Sequence, residues 1–461
     1  MTQVLVTTVG ENKGALRIWM QGQKLKHERF VKGTRYNAER LKDGLALISN
    51  PEGKKVVSGR KKGDNVIPII DLNNQMLSEL FDLNQKLRIV IRKGKIIIKV
   101  HFTSGVIADR INRLKEVLKE KRKLAVGSLF HGGGVIDKAI HSGLSKAGVS
   151  SFVQVAVELE EKYLDSSMIN NSELFTEETI FVNSPLQDLN LAQCPKIDLA
   201  VMGIPCTGAS SSGMAKNKLK HAEEHSSAGG LFFWALQYIQ QASPSIFVIE
   251  NVKNYQNTAS MAAIRSVANT LGYDLQERIM NGNEFGALEN RDRLVVVGIT
   301  RGLDHEFDLE SVLPQLTKPA KLSDVLEDIP LDSELWKEFS YLVEKEKRDK
   351  AAGKGFRRQL YTGENESINT VTREYHKCRS TDPFIQHPDG IRSRLLTVAE
   401  HAAVKGVPLK IVAGLSKTVS HEVLGQGIIY PVFEDLGMAI GTKLNEIDVT
   451  DSIENELSRA A

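Results

Sequence analysis

The sequence predicts an α/β protein with a mostly parallel sheet, preceded by an extra N-terminal β-rich domain and carrying a second, small domain. Three observations predict this. From Leu124 onward, short apolar runs alternate with helical stretches, as a parallel sheet with crossover helices requires. The first hundred residues instead hold Val- and Ile-rich runs separated by Gly, Asn and Pro. Between residues 303 and 390 the alternation lapses into charged stretches. A length of 461 residues accommodates two to four domains at about 100 to 200 residues each. The expected boundaries are 1–123, 124–302, 303–390 and a C-terminal part, 391–461, that returns to the second domain.

In chain order, strands are expected at Leu16 to Met20, Leu45 to Ile48, Val66 to Ile70 and Leu87 to Phe102. The last reads as a hairpin, because Arg88 to Arg92 and Ile96 to Val100 flank Lys93-Gly94-Lys95, where glycine accepts the positive φ of a tight turn. Ile107, Ile111, Leu114 and Leu118 recur at helical spacing and predict a linker helix over 104–123. The parallel strands are expected at Ala125 to Phe130, Phe152 to Val157, Asp198 to Met202, Ile246 to Ile249 and Leu294 to Ile299. Helices are expected from the glycine run toward Ala147, at Gly230 to Gln241 and at Ala259 to Leu271. The small domain carries a basic cluster, Lys345, Lys347, Arg348, Lys350, Lys354, Arg357 and Arg358.

Composition narrows the class. With 41% hydrophobic and 25% charged residues the chain is neither collagen-like nor disordered throughout, and no run reaches the roughly 18 apolar residues of a membrane span. Met1-Thr2-Gln3-Val4 lacks a basic and apolar export signal, and Cys194, Cys206 and Cys378 are too scattered for a disulfide frame, so a cytoplasmic protein is expected. The net charge of +3 conceals a division: residues 1 to 125 hold 27 Lys and Arg against 12 Asp and Glu, and the remainder 33 against 45. Such a basic arm is either a polyanion-binding footprint, with sequence-independent and salt-sensitive DNA binding expected, or a solvated lysine-rich surface.

Four constellations carry chemistry. Leu129-Phe130-His131-Gly132-Gly133-Gly134 joins a strand to a helix, where glycine lets backbone approach a ligand and the helix start offers free N–H groups; tight packing is the alternative. After the next strand comes Glu158, where a carboxylate either binds the two hydroxyls of a ribose or simply begins a helix. Pro205-Cys206 follows a parallel strand at the edge where ligands bind, so Cys206 is either a nucleophile or a small core residue. As a nucleophile it needs a nearby cation, since only about 3% of an unperturbed thiol is ionised at pH 7. Glu250-Asn251-Val252 ends an apolar strand in an acid that must be paired or at work. Arg291 and Arg293 serve a phosphate, the thiolate or Glu250, or pair at the surface with Asp292.

In this order the motifs resemble the DNA (cytosine-5) methyltransferase family, over about residues 124 to 445. The family's glycine loop is similar to Phe130, Gly132 and Gly134, its acidic strand end to Glu158, and its Pro-Cys nucleophile to Pro205-Cys206. Its Glu-Asn-Val motif is Glu250-Asn251-Val252, and its R-x-R motif Arg291-Asp292-Arg293. Arg394-Leu395-Leu396-Thr397 with Glu400 and Gly406-Val407-Pro408, then Gly425-Gln426-Gly427-Ile428, look like the closing motifs. The resemblance implies a Rossmann-like S-adenosylmethionine-dependent core, with Cys206, Glu250, Arg291 and Arg293 catalytic. It implies S-adenosyl-L-methionine held by Phe130, Gly132, Gly134, Glu158, Ser184 and Gln426, and a target-recognition region at 303–390 acting on double-stranded DNA. A cognate restriction nuclease on another chain, a monomeric state and association with the nucleoid belong to the same expectation. Departures are Ser128 for an acid, Asn183-Ser184 for Gly-Asp, Thr207 and Glu289 for glutamines, and Gln426 for an asparagine. They leave two further readings open: a catalytically impaired DNA-binding relative and an RNA cytosine methyltransferase. A dinucleotide-dependent oxidoreductase does not explain Pro205-Cys206 together with Glu250-Asn251. Arg379, Gln386, His387, Arg392 and Arg394 are candidate base or phosphate contacts, but no code converts them into a DNA sequence.

Overall fold

The computed structural model describes residues 2–41, 44–73, 75–205, 222–224, 228–303 and 307–447. Cys206 and Thr207 lie outside the described residues. The first hundred residues form strands β1 (Gln3–Thr8), β2 (Gly10–Asn12), β3 (Ala15–Gln21), β4 (Arg35–Leu41), β5 (Gly44–Ser49), β6 (Lys55–Val56), β7 (Ser58–Lys62), β8 (Asn65–Asn73), β9 (Lys86–Arg92) and β10 (Lys95–Val100), with a short helix α1 (Gln23–His27). They assemble into a six-stranded sheet, β1-β9-β10-β5-β4-β6, and a four-stranded one, β2-β3-β8-β7. The expected hairpin is β9–β10, with Arg92 opposite Lys95 and Gly94 at φ 72° in the turn. Alternation orients it: Leu87, Ile89, Ile91, Ile96 and Ile98 are buried in a core built wholly from this domain, while Arg88 and Arg92 face solvent.

Helix α2 (Phe102–Lys119) closes the segment but does not pack on it. Its stripe of Ile107, Ile111, Leu114 and Val117 joins the core of the following domain. Arg110 donates to Ser243 Oγ and Leu271 O, both at 2.9 Å, and Arg113 donates to Ile197 O at 2.8 Å. Helix α2 thus packs with the second domain although it precedes that domain's first strand.

The second domain is a seven-stranded sheet of β11 (Leu124–Leu129), β12 (Ser151–Glu158), β13 (Ile180–Asn183), β14 (Leu199–Gly203), β15 (Ile246–Val252), β16 (Tyr273–Asn281) and β18 (Asp292–Thr300), a short β17 (Glu289–Asn290) lying outside it. Its order is β13-β12-β11-β14-β15-β18-β16, parallel except for β18, which runs antiparallel to both neighbours. The chain departs from β11 to one side and returns through β14 to the other, so the loop after β11 stands at the topological switch point. The sequence reading missed β13 and β16. Each forms an edge, where polar side chains such as those of Gln276, Glu277 and Arg278 dilute the apolar signal.

Helices α3 (Val135–Lys146), α4 (Glu161–Asn170), α5 (Leu231–Ala242) and α6 (Ala259–Thr270) cover the sheet. Leu303, Phe307, Leu309 and Val312 belong to the sheet's core, so the small domain begins later than residue 303. Its own cluster gathers Leu322, Ile368, Val371, Tyr375 and Ile385 around Leu288, and it holds α7 (Ser340–Ala351) and strands β19 (Gln359–Tyr361), β20 (Ile368–Asn369), β21 (Pro383–Gln386) and β22 (Ser393–Arg394). The chain then returns through α8 (Val398–Val404), α9 (Lys417–Gln426) and α10 (Tyr430–Glu446). Helix α10 lies against α3 so closely that a Cβ at Gly143 would sit 2.0 Å from the Glu434 carbonyl oxygen.

The small domain and the returning helices meet at one buried ion cluster. Lys405 Nζ lies 2.6 Å from Glu289 Oε2 with both side chains fully buried, and Glu289 Oε1 accepts the Val371 N–H at 2.7 Å. Arg291 reaches Glu289 and Val371 O at 3.4 Å and Gly425 O at 3.5 Å. Burial raises the Glu289 carboxyl, but the charges of Lys405 and Arg291 outweigh it and hold that group below the usual range. Burial and the Arg291 charge push the Lys405 ammonium down from 10.5 to about 7, against the pull of Glu289. Above pH 7 the unfolded chain therefore keeps a proton on Lys405 that the folded chain has released, and stability from this group rises with pH. Between pH 7 and 9 the wild type should gain up to about 2 kcal/mol relative to a Glu289→Gln/Lys405→Gln double variant, read from urea midpoints. Parallel pH profiles for the two proteins would refute the assignment.

Candidate active site at the carboxyl edge of the sheet

Strand β11 runs into a loop that turns through left-handed conformations at Phe130 (φ 57°), Gly132 (φ 56°) and Gly134 (φ 72°) before α3 begins. Glu158, at the end of the neighbouring β12, fastens that loop. Its Oε2 accepts the Gly132 N–H at 2.7 Å and its Oε1 the Glu160 N–H at 2.9 Å. Asn183, opposite Glu158 in β13, donates to the Glu158 and Leu159 carbonyls at 3.1 and 3.0 Å. Ser184 follows, half-buried, its hydroxyl 3.4 Å from Pro185 O. From the far end of the chain, α9 brings Gln426 to the same loop. A Cβ on Gly132 would lie 3.3 Å from Gln426 Nε2, a buried nitrogen with no hydrogen-bond partner. Leu159, which sequence reasoning did not single out, is left 61% exposed beside Glu158.

Beneath the loop lies a buried polar network that the sequence reading also missed. Ser128 donates to Asp137 Oδ2 at 2.8 Å, and His131 Nδ1 lies 3.0 Å from the same oxygen. His131 Nε2 meets Ser167 Oγ at 2.8 Å, and Asn171 donates to Gly133 O at 3.1 Å. Burial raises the Asp137 carboxyl, but His131 and the Ser128 hydroxyl outweigh it and hold the group below the usual range. The acid absent at position 128 is thus delivered by α3, one helical turn past the glycines. Its signal in the sequence is an Asp among the apolar residues of a helix's first turn.

On the other side of β11, Gly203 of β14 pairs with Glu250 of β15. The Glu250 carboxylate stands over this position, its Oε2 3.6 Å from where a Gly203 Cβ would be. Arg293 Nε reaches Glu250 Oε1 at 2.8 Å, each side chain about 15% exposed. Asn251, almost fully buried, donates to Ile204 O at 3.0 Å and so fixes the backbone leading through Pro205 toward position 206. Arg291 and Arg293 do not share a direction. Strand β18 starts at Asp292, so Arg291 precedes it and turns inward to Glu289, whereas Asp292 pairs with Lys253 at 3.0 Å. Glu250 therefore stands two strands from the glycine loop, about 10 Å at ordinary strand spacing.

Several expected DNA contacts are already engaged within the protein. Arg394 makes a buried two-point pair with Glu400 at 2.6 and 2.7 Å, His387 is buried, and Arg392 pairs with Asp389 at 2.6 Å. Within the basic cluster, Lys345 pairs with Asp349 at 2.7 Å and Arg358 with Glu346 at 2.9 Å, while Lys347, Lys350 and Arg357 are exposed.

Known proteins are similar to this chain in sequence and in fold. The chain is 25% identical to the type II methyltransferase M1.ScrFI of Lactococcus lactis subsp. cremoris over 298 residues, covering 62% of this chain and 72% of that one. It is 26% identical to M.Bsp6I of Bacillus sp. (strain RFL6) over 320 residues, 67% and 96% of the two chains. Among solved structures, the Dnmt2 methyltransferase of S. pombe superposes with a TM-score of 0.52 at 15% identity, over 70% of this chain and 99% of that one, and shows the same fold. The Entamoeba histolytica methyltransferase EhMeth does so with a TM-score of 0.54 at 16% identity and the same coverage. The model of the C-5 cytosine-specific DNA methylases matches residues 124–442, and the chain belongs to that family.

Proposed function

We propose that this DNA cytosine-5 methyltransferase moves a methyl group from S-adenosylmethionine to C5 of a flipped-out cytosine in duplex DNA through a covalent bond to Cys206. The observation that carries this reading is the Arg293–Glu250 pair, fixed at the sheet edge beside the Ile204-Pro205 backbone and two strands from the glycine loop. The cofactor side fits an adenosyl group. Each Glu158 oxygen accepts one N–H, which leaves lone pairs for ribose hydroxyls, and Gln426 Nε2 is a buried donor awaiting an acceptor. Leu159 supplies an apolar surface and Ser184 a hydroxyl at the same edge. When bound there, S-adenosylmethionine supplies an electrophilic methyl group.

The residues of the chain must make cytosine C5 nucleophilic. The Cys206 thiolate adds to C6, forming an S–C6 bond and pushing an electron pair toward C5 and the N3 side of the ring. Glu250 holds a proton at N3 to take up that charge, and Arg293 keeps its carboxyl aimed. Once C5 carries the methyl group, a water molecule at the site takes the C5 proton, the C–H electron pair re-forms the C5–C6 double bond, and the S–C6 pair leaves on the Cys206 thiolate, giving 5-methylcytosine. A stacked base hides C6, so the nucleotide must leave the duplex, at a cost of a few kcal/mol that DNA contacts offset. The small domain, which follows Val312, is the proposed source of those contacts. Arg291 acts in this scheme by positioning, since it ties Gly425, next to Gln426, to Val371 of the small domain. A cognate nuclease on another chain, a monomeric state and a cytoplasmic, nucleoid-associated location complete the reading; type II relatives support the first.

Cys206→Ala should abolish transfer of labelled methyl while leaving DNA binding intact; methyl transfer by this variant would remove the nucleophile assignment. Glu250→Gln should fold normally and lose about 100-fold or more in turnover, the range of a general acid–base contribution; a rate near wild type would exclude the N3 role. Asp137→Asn should weaken S-adenosylmethionine binding about tenfold, near 1.4 kcal/mol, in calorimetry, through slackening of the loop above it. Unchanged affinity would mean that the network beneath the loop does not set its shape.

A further inference from the structure

The family match begins at residue 124, so the N-terminal domain lies outside the methyltransferase reading. Residues 3–100 contain 20 Lys and Arg against 9 Asp and Glu. Some of these cations are neutralised within the domain and others are not. Arg17 is neutralised by Asp71 at 2.8 Å and Arg40 by Glu79 at 3.0 Å. Arg29, Lys32, Arg60, Arg92, Lys93 and Lys95 hold no ion pair among the described residues, and all six are exposed.

Backbone hydrogen bonds bring five of them, all but Arg60, near one another. The loop after α1, residues 28–34, is pinned on one side to the β9–β10 turn, where Gly94 N donates to Glu28 O at 3.3 Å. On the other side Gly33 N donates to Val57 O and Val57 N to Thr34 O, both at 2.9 Å. The Lys32 stem lies on β7, where a Cβ at Gly59 would meet its Cβ and Cδ at 3.1 Å. The Thr34 hydroxyl closes the loop internally, accepting from Val31 N at 3.1 Å and donating to Arg29 O at 3.3 Å. Arg29 and Lys32 on the loop and Arg92, Lys93 and Lys95 around the hairpin turn therefore share one edge whose backbone is fixed, while Arg60, next to Gly59 on β7, points to the other face. Glu28, the acid nearest its centre, is 1% exposed and faces the interior, while Glu52 and Asp64 occupy separate turns.

We propose that this edge is a second DNA-binding surface, gripping the phosphate backbone of duplex DNA independently of sequence and holding the catalytic domain on the same duplex. A fixed row of unpaired cations displaces counterions from a polyanion, and binding of this kind falls steeply with salt. The choice of duplex DNA rests on the methyltransferase reading, because two surfaces on one chain that engage one polymer raise each other's effective concentration.

The test uses the full chain. Anisotropy titrations with a duplex of about 40 base pairs, some four helical turns, compare the wild type with an Arg29→Gln/Lys32→Gln/Arg92→Gln/Lys93→Gln variant over a range of salt. At about 0.9 per phosphate contact, the slope of log affinity against log salt should shrink by up to about 3.6, with at least a tenfold loss of affinity at low salt. Arg92→Gln/Lys93→Gln alone should show about half that change in slope, and Arg40→Gln, whose cation is already paired, almost none. Thermal midpoints equal to wild type confirm that the exposed substitutions leave the fold intact. An unchanged slope overturns the proposal, as does stronger binding to structured RNA or to anionic lipid vesicles through the same residues. Methyl transfer is measured on the same preparations. A wild type that transfers no methyl group to unmethylated genomic DNA, which presents every short site, but shows the slope difference on the duplex would sink the methyltransferase reading and leave the DNA-binding edge standing; normal transfer with no slope difference would sink the edge alone.

Discussion

A carboxylate taken out of water must be met by hydrogen-bond donors or by a cation, and the candidate site is organised around four of the places where that requirement is satisfied. Glu158 is met by two backbone N–H groups and thereby shapes the glycine loop. Asp137 is met by Ser128 and His131 beneath the same loop. Glu250 is met by Arg293 at the end of the next strand but two. Glu289 is met by Lys405, Arg291 and the Val371 N–H at the junction with the small domain. Removing one partner at any of these sites leaves an uncompensated buried charge, which costs far more than the pair itself contributes.

The parallel sheet decides where those carboxylates stand. Strands that share a direction end on one edge, so Glu158, the glycine loop, Gly203 and Glu250 come together although 120 residues of intervening sequence separate the first strand from the last acid. The antiparallel β18 does the complementary work. Because it runs against β15, its first residues lie beside the last residues of β15, with Arg293 opposite Val252 and next to Glu250. An arginine arriving on a parallel strand would have had to come from its far end.

Much of this was legible in the sequence because the determinants are local. Apolar runs of strand length located the five central strands, and Lys93-Gly94-Lys95 located the hairpin within a residue or two. The order of motifs led to Glu158, Glu250 and Arg293, which the structure sets on one edge. What was not legible depends on partners distant in sequence. Helix α2 reads as a linker by position, yet Arg110 and Arg113 bind carbonyls more than 80 residues away and draw it into the second domain. Arg291 reads like Arg293, two positions on, and only the start of β18 separates their directions. Ser128 and Glu289 read as losses. In space each is balanced, by Asp137 on α3 and by Lys405 after α8, and neither balance has a local signature.

The junction at Glu289 joins the two halves of the site. Gln426 reaches the glycine loop from α9, and the residue before it offers its carbonyl to Arg291. The same guanidinium touches the Val371 carbonyl, next to the N–H that binds Glu289, and Val371 belongs to the core of the small domain. A shift of the small domain that moved Val371 would therefore strain the contact to Gly425, and with it the donor that faces the glycine loop. Coupling of this kind would need a shared element that both sites bias, and the buried Arg291 guanidinium, in contact with both lobes, stands where such an element would have to be.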